Sequence, residues 1–256
     1  MEDLLIKHRG KAALILGIGG GGDVVTAAVL RNFFTYFDVS ARIGGVVWER
    51  ISIDPVPGPV RLEELNPIKP NGESVGWVCG ETVARRNGSL IKPQIARVSK
   101  LLGEECLAID LWKAPPCVVR DLALVAEELG ASLLVGVDVG GDVLATGSEE
   151  GLWSPLSDQV MLAVLSELER RGYGAVLAVH GLGADGELSV DYLLMRMSEV
   201  ASSGGYLGAR GLNSEDAELL EKLLEVAETE SSAAPLEGFR GYYGRRGIRL
   251  GTREVE

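Results

Sequence analysis

The stretch KAALILGIGGGGDVVTA, Lys11 to Ala27, decides the fold. Its first part, Lys11 to Leu16, is a short apolar run closed by glycine, which reads as a buried parallel strand. A turn rich in glycine follows, Gly17-Ile18-Gly19-Gly20-Gly21-Gly22. Asp23 is then placed to cap a helix in which Val24, Val25, Ala28, Val29 and Phe33 recur at helical spacing to about Phe37. Arg42 to Trp48 supplies a second parallel strand ending at Glu49 and Arg50, and the three pieces form a right-handed βαβ unit.

Working outward, Cys106 to Ile109, Ser132 to Val137 and Ala175 to Val179 are strand-like, and helical patterns at about Pro116 to Leu129 and Pro155 to Arg171 separate them. In the second pattern Ser154 is placed as the cap, Pro155 as the first helical residue, and Leu156, Val160, Met161, Val164, Leu165 and Leu168 form one stripe. Further helices are expected at Asp191 to Ala201 and, capped by Asn213, at Ser214 to Glu228, with a last parallel strand at Gly205 to Ala209. Strands alternating with helices in this way predict a Rossmann-like, doubly wound α/β fold with a mostly parallel sheet and helices on both faces. One domain over residues 1–256 is expected. It carries an irregular insertion at about 51–99, where prolines break the pattern, and a basic, hairpin-like tail at about 239–255.

Composition narrows the function. A chain of 256 residues with 46% hydrophobic content can bury a sizeable core. No apolar run approaches the ~20 residues needed to cross a bilayer, and the N-terminus lacks the pattern of a signal peptide, so a cytoplasmic protein without membrane partners is expected. Cys79, Cys106 and Cys117 have no metal-binding or disulfide spacing. A formal charge of −12 argues against nucleic acid as a partner, leaving any phosphate to be held locally. A homo-oligomer is compatible with all of this.

The glycine turn satisfies G-x-G-x-x-G at Gly17, Gly19 and Gly22 between a strand and a helix. Converging N–H groups of Gly19, Gly20, Gly21 and Gly22 at a helix start suit an anion, and a tight crossing without ligand is the plain alternative. Lysine and a hydroxyl residue do not follow Gly22, which excludes a P-loop. Glu49 could bond ribose hydroxyls of a dinucleotide, but it lies 32 residues beyond Gly17 rather than about 20, and Asp23 would repel a pyrophosphate.

Other strand ends add chemistry. Asp138-Val139-Gly140-Gly141-Asp142 follows one strand, Asp110 another, and His180-Gly181-Leu182-Gly183-Ala184-Asp185-Gly186-Glu187 a third. In a parallel sheet these ends share an edge, so Asp23, Asp110, Asp138, Asp142 and His180 are expected to face one crevice. Carboxylates that converge raise one another's pKa unless a cation neutralises them, which implies either Mg²⁺, with a nucleotide or phosphorylated ligand, or an amine-bearing substrate. His180, Asp142 and Asp185 are the acid–base candidates. Gly17 to Asp23, Glu49, Asp138, Gly140, Gly141, Ser154 and Glu187 are the ligand-binding candidates.

GIGGGGDVVTA at Gly17 to Ala27, VDVGGDVLATGSEEGLWSPLSD at Val137 to Asp158 and HGLGADGELS at His180 to Ser189 together resemble the domain of unknown function 1152 family. The resemblance covers about residues 10–210 and implies a Rossmann-like fold without an established reaction. The expectation is therefore an enzyme acting on a small phosphorylated metabolite. The alternatives are a nucleotide-sensing module and an oxidoreductase using NAD(P).

Overall fold

In the computed structural model, which describes residues 1–249 and 251–255, helix α1 (Glu2–Lys7) leads into strand β1 (Ala12–Gly17). Leu250 of the expected tail and Glu256 of the expected domain lie outside the described residues. The chain continues through α2 (Asp23–Thr35), β2 (Ser40–Val46), β3 (Leu65–Pro70), β4 (Val75–Arg86), β5 (Ser89–Ile91), α3 (Gln94–Leu102), β6 (Cys106–Ile109) and α4 (Pro115–Leu129). Then come β7 (Ala131–Val139), α5 (Leu156–Arg170), β8 (Gly174–His180), α6 (Val190–Ser202), α7 (Ser214–Val226), α8 (Glu230–Phe239), β9 (Arg246–Ile248) and β10 (Arg253–Val255).

The main sheet has the order β3-β4-β6-β2-β1-β7-β8, with β5 paired to β4. Its five strands from β6 to β8 are parallel. Alternation along β1 builds the two layers, because successive side chains leave opposite faces of a strand. Ala13 and Ile15 join a core with Val24 and Ala28 of α2, Val98 of α3 and Leu223 of α7. Leu14 and Leu16 join another with Leu122 of α4 and Leu165 of α5. A Rossmann-like, doubly wound α/β architecture results, and among the described residues no helix is long and apolar enough to cross a membrane.

Several expectations are corrected. Residues 51–99 are irregular only at first; β3, β4 and β5 then extend the sheet antiparallel beyond β6, and α3 begins at Gln94. The prolines misled because one of them, Pro67, sits in the outermost strand, where a missing N–H costs no ladder bond. Gly205 to Ala209 forms no strand. Asp23 is the first helical residue of α2 rather than its cap, which is Gly22. Ser154 does not cap α5, since Pro155 holds that position and the Ser154 hydroxyl is engaged elsewhere. The tail does form a hairpin, β9 with β10, but it is shorter than expected and is preceded by α8.

The order places β2 on one side of β1 and β7 on the other. The chain leaves β1 towards β2 and later returns to β7 across the far side. This is a topological switch point, where the loops after β1 and β7 diverge and open α/β sheets take their ligands.

Candidate acidic centre at the switch point

Six buried carboxylates meet here in two adjoining groups, Asp23 with Asp138 and Asp158, and Asp142 with Asp185 and Glu187. In each group one oxygen per residue lies within 4.8 Å of the others. Each has a separate local origin. Asp23 opens α2, Asp138 is the penultimate residue of β7, and Asp158 lies in the first turn of α5. Asp142 follows Gly140 and Gly141, whose φ values of 120° and 105° turn the chain sharply after β7. Asp185 and Glu187 come from the loop after β8, folded over the β7 end by the Gly183 N–H donated to the Gly140 carbonyl.

The glycines turn out to accommodate acids. A side chain at Gly19 would lie 2.7 Å from both Asp158 Oδ1 and Asp23 Oδ2, and one at Gly21 would lie 2.7 Å from Glu49 Oε2. At Gly140 it would meet the Asp185 carboxylate, at Gly22 the hydroxyl of Thr229, and at Gly17 the backbone of α2. Gly141 faces Leu193 instead. Two of the turn's donors are also committed. Gly19 N–H donates to Asp23 Oδ2 at 2.7 Å and Gly21 N–H to the Trp48 carbonyl at 2.8 Å. Of the expected anion cradle at Gly19 to Gly22, the donors of Gly19 and Gly21 and the space at Gly19, Gly21 and Gly22 are thus taken by the protein's own groups, while the space at Gly20 is open.

Burial governs the electrostatics. The six carboxylates are at most 7% exposed, and desolvation disfavours their charged forms. It raises Asp158 to about 10, with Asp142 and Asp23 adding to the effect. Asp23 rises to about 8, burial outweighing its bonds to Gly19 and Gly20. Asp142 rises to about 7 through burial and the charges of Asp185 and Glu187. Asp138 is raised well above its ordinary value by burial and Asp158, and Asp185 reaches about 6, again mainly through burial. Glu187 goes the other way. Burial would raise it, but the Ser154 hydroxyl at 2.7 Å, the Trp153 N–H at 2.7 Å and the Arg249 guanidinium at 2.8 Å hold it below the usual range.

Among the described residues, Asp138 Oδ2 and Asp158 Oδ1 are buried without a hydrogen-bond partner. Buried polar atoms are rarely left so, and oxygens of this kind within a carboxylate group could hold a cation. The donor set is all carboxylate oxygen, the chemistry of a hard ion such as Mg²⁺ or Mn²⁺.

Other candidates stand apart. Asp110 does end a parallel strand, but its carboxylate accepts from Leu62 N–H at 3.1 Å and Trp112 N–H at 2.8 Å and anchors the loop before β3. His180 pairs with Val139 in the sheet while Asp138 pairs with Val179, so His180 and Asp138 leave opposite faces. Burial and the nearby Arg210 lower His180 to about 4, and its Nε2 is sealed from solvent. The imidazole therefore does not reach the acids. Glu49 is buried against Gly21, its Oε1 accepting from Gln94 N–H at 2.9 Å and its Oε2 sealed from solvent, so burial rather than full pairing keeps it from an open ribose site. Asp158, Arg50 and Arg249 were not expected here. An acid in a helix's first turn ordinarily reads as a dipole partner, and no local pattern ties a tail arginine to residues far away in sequence.

A family model described as protein of unknown function (DUF1152) matches residues 14–256. The chain belongs to this family. No curated protein and no solved structure matches it. Gly19 to Asp23, Asp138 to Asp142, Ser154 and Asp185 to Glu187, the segments that carried the resemblance, all contribute residues to the acidic centre or its support.

Proposed function

We propose that this DUF1152 protein is a divalent-cation-dependent enzyme acting on a small phosphorylated metabolite at the switch point. The observation that carries the reading is the pair of unpartnered, buried oxygens of Asp138 and Asp158 beside Asp23. Such a group calls for a cation, and cations held by a few carboxylates commonly complete their shell with substrate phosphate. Phosphate would then be recruited through the ion, because the acids alone would repel it. Asp142, with a pKa raised to about 7, is suited to hold or release a proton near neutral pH. The NAD(P) reading loses support with Glu49, whose carboxylate is buried beneath Gly21 and Gln94 rather than open to a ribose.

The test is thermal unfolding of metal-stripped protein with Mg²⁺, Mn²⁺, Ca²⁺ or Zn²⁺. A specific ion at ~100-fold its dissociation constant adds ~2.7 kcal/mol, and Asp158→Asn should abolish that gain while leaving the metal-free protein folded. No stabilisation of the wild type by any of these ions would overturn the proposal. With the ion bound, a panel of phosphate monoesters and nucleotides is then scored for turnover; binding without turnover would assign a sensing module instead.

A further inference from the structure

We infer that Arg249, delivered by the tip of the β9–β10 hairpin, and Arg50, at the end of the β2 loop, form a phosphoryl-binding clamp over the acidic centre. Glu187 pairs with the guanidinium of Arg249. This rests on the cation-dependent reading above and adds the groups that would recognise the substrate.

Arg249 is built into the site at some cost. Its φ of 53° is one that a bulky side chain rarely adopts, and such strain persists where surrounding structure enforces it. The enforcement is visible. Ile248 beside it is buried, its own N–H donates to Glu230 Oε2 at 2.8 Å, and its guanidinium lies 5.4 Å from the Trp153 ring centroid while binding Glu187. Yet its Nε is buried and donates to nothing among the described residues. A fork that bonds through one arm and leaves another donor buried has capacity for an additional oxygen.

Arg50 faces the same region. Its Nη1 lies 3.3 Å from the same Glu230 Oε2, and its Nη2 donates to the Ser231 hydroxyl at 3.0 Å. Glu230 Oε2 thus ties the main chain of Arg249 to the guanidinium of Arg50, and the two side-chain charges are close enough for Arg249 to add to burial in lowering the pKa of Arg50. Glu187 and Glu230 each neutralise one of the two guanidiniums, but the buried Nε of Arg249 can still take an oxygen that neither glutamate supplies. A phosphoryl group matches these donors in valence. It has three terminal oxygens, enough to touch an ion on the carboxylates and both guanidiniums, whose planar donors match phosphate geometry. A carboxylate has only two.

The experiment uses the whole chain saturated with Mn²⁺ and titrated by calorimetry with inorganic phosphate and, separately, with acetate. Phosphate should bind the wild type, and Arg249→Met and Arg50→Met should each weaken it ~10- to 100-fold, the range of a charge-assisted hydrogen bond. Affinity for Mn²⁺ itself should stay the same or rise, since a competing positive charge has gone. If Arg249→Met does not fold, Arg249→Lys keeps the charge but loses the fork, and it should bind phosphate ~5-fold or more weakly than wild type. Phosphate affinity unchanged in the variants, acetate binding as tightly as phosphate, or no phosphate binding to the Mn²⁺-loaded wild type would each overturn the clamp. Failure of the wild type to bind Mn²⁺ would instead remove the cation-dependent reading on which the clamp stands.

Discussion

At Gly19 the space that a methyl group would need is already held by two carboxylates. Gly19→Ala should therefore push Asp158 and Asp23 apart and weaken cation binding by ~10-fold or more, with an overpacking cost of ~1–3 kcal/mol. Gly20 offers a contrast, since a side chain there would meet only the Trp48 carbonyl at 3.8 Å. Gly20→Ala should bind the ion like wild type. If both variants lose the ion equally, the turn acts through its backbone and the carboxylate account of Gly19 fails. The comparison also shows how far single residues could be read. That Gly17 to Gly22 marks a close approach was legible, because a run of glycines has few other uses after a buried strand. What approaches was not legible, since a phosphate and a carboxylate demand the same absence of Cβ. Asp158 escaped notice for a similar reason: one acid in a first helical turn has an ordinary explanation, and only the fold brings it to Gly19.

At the scale of elements, apolar runs revealed the parallel strands because a strand buried on both faces needs nothing else. Period-two reasoning then fixes something that the sequence reading passed over. Asp138 and His180 end neighbouring strands, but their offset by one in the pairing sends them to opposite faces. His180→Gln should accordingly leave cation and phosphate binding unchanged; a large loss of either would show that the imidazole reaches the site. The 51–99 segment was misread because strands at an antiparallel edge alternate weakly and tolerate proline. A buried arginine joins its irregular start to β4. Arg86 lies 3.3 Å from Asp54, both nearly inaccessible, and its Nη2 donates to the carbonyls of Val56, Pro57 and Gly58. Arg86→Met would leave Asp54 buried without its partner, a change that typically costs ~3–5 kcal/mol. A denaturant midpoint close to that of wild type would show that the loop is held by something else.

Across the whole molecule the acidic centre makes stability depend on pH in a direction that a cation should reverse. Asp23 and Asp158 titrate at about 8 and about 10 in the fold against 3.8 ordinarily. Between pH 6.5 and 8 the folded protein keeps protons that the unfolded chain has released. Stability contributed by these groups is complete below about pH 4 and is lost as pH rises towards the folded values. His180 has the opposite sign, with a folded value of about 4 against 6.5, so its contribution is present above 6.5 and lost as pH falls. In the unfolded chain it is half protonated at pH 6.5, so its opposing contribution, and that of His8, whose pKa burial also lowers, fades between pH 6.5 and 8 and leaves most of the upper part of that window to the acids. The metal-free protein should therefore lose stability from pH 6.5 to 8, each retained proton accounting for at most ~1.4 kcal/mol per pH unit. Asp158→Asn removes one such proton and should flatten the slope by up to that amount. Saturating Mg²⁺ should flatten or invert it, because the ion replaces protons and binds better as they leave. Urea unfolding at several pH values, with and without Mg²⁺, decides the matter. A metal-free wild type whose stability is level or rising across this window would mean that the acids are already neutralised within the fold, and the case for a cation at Asp23, Asp138 and Asp158 would lose its electrostatic basis.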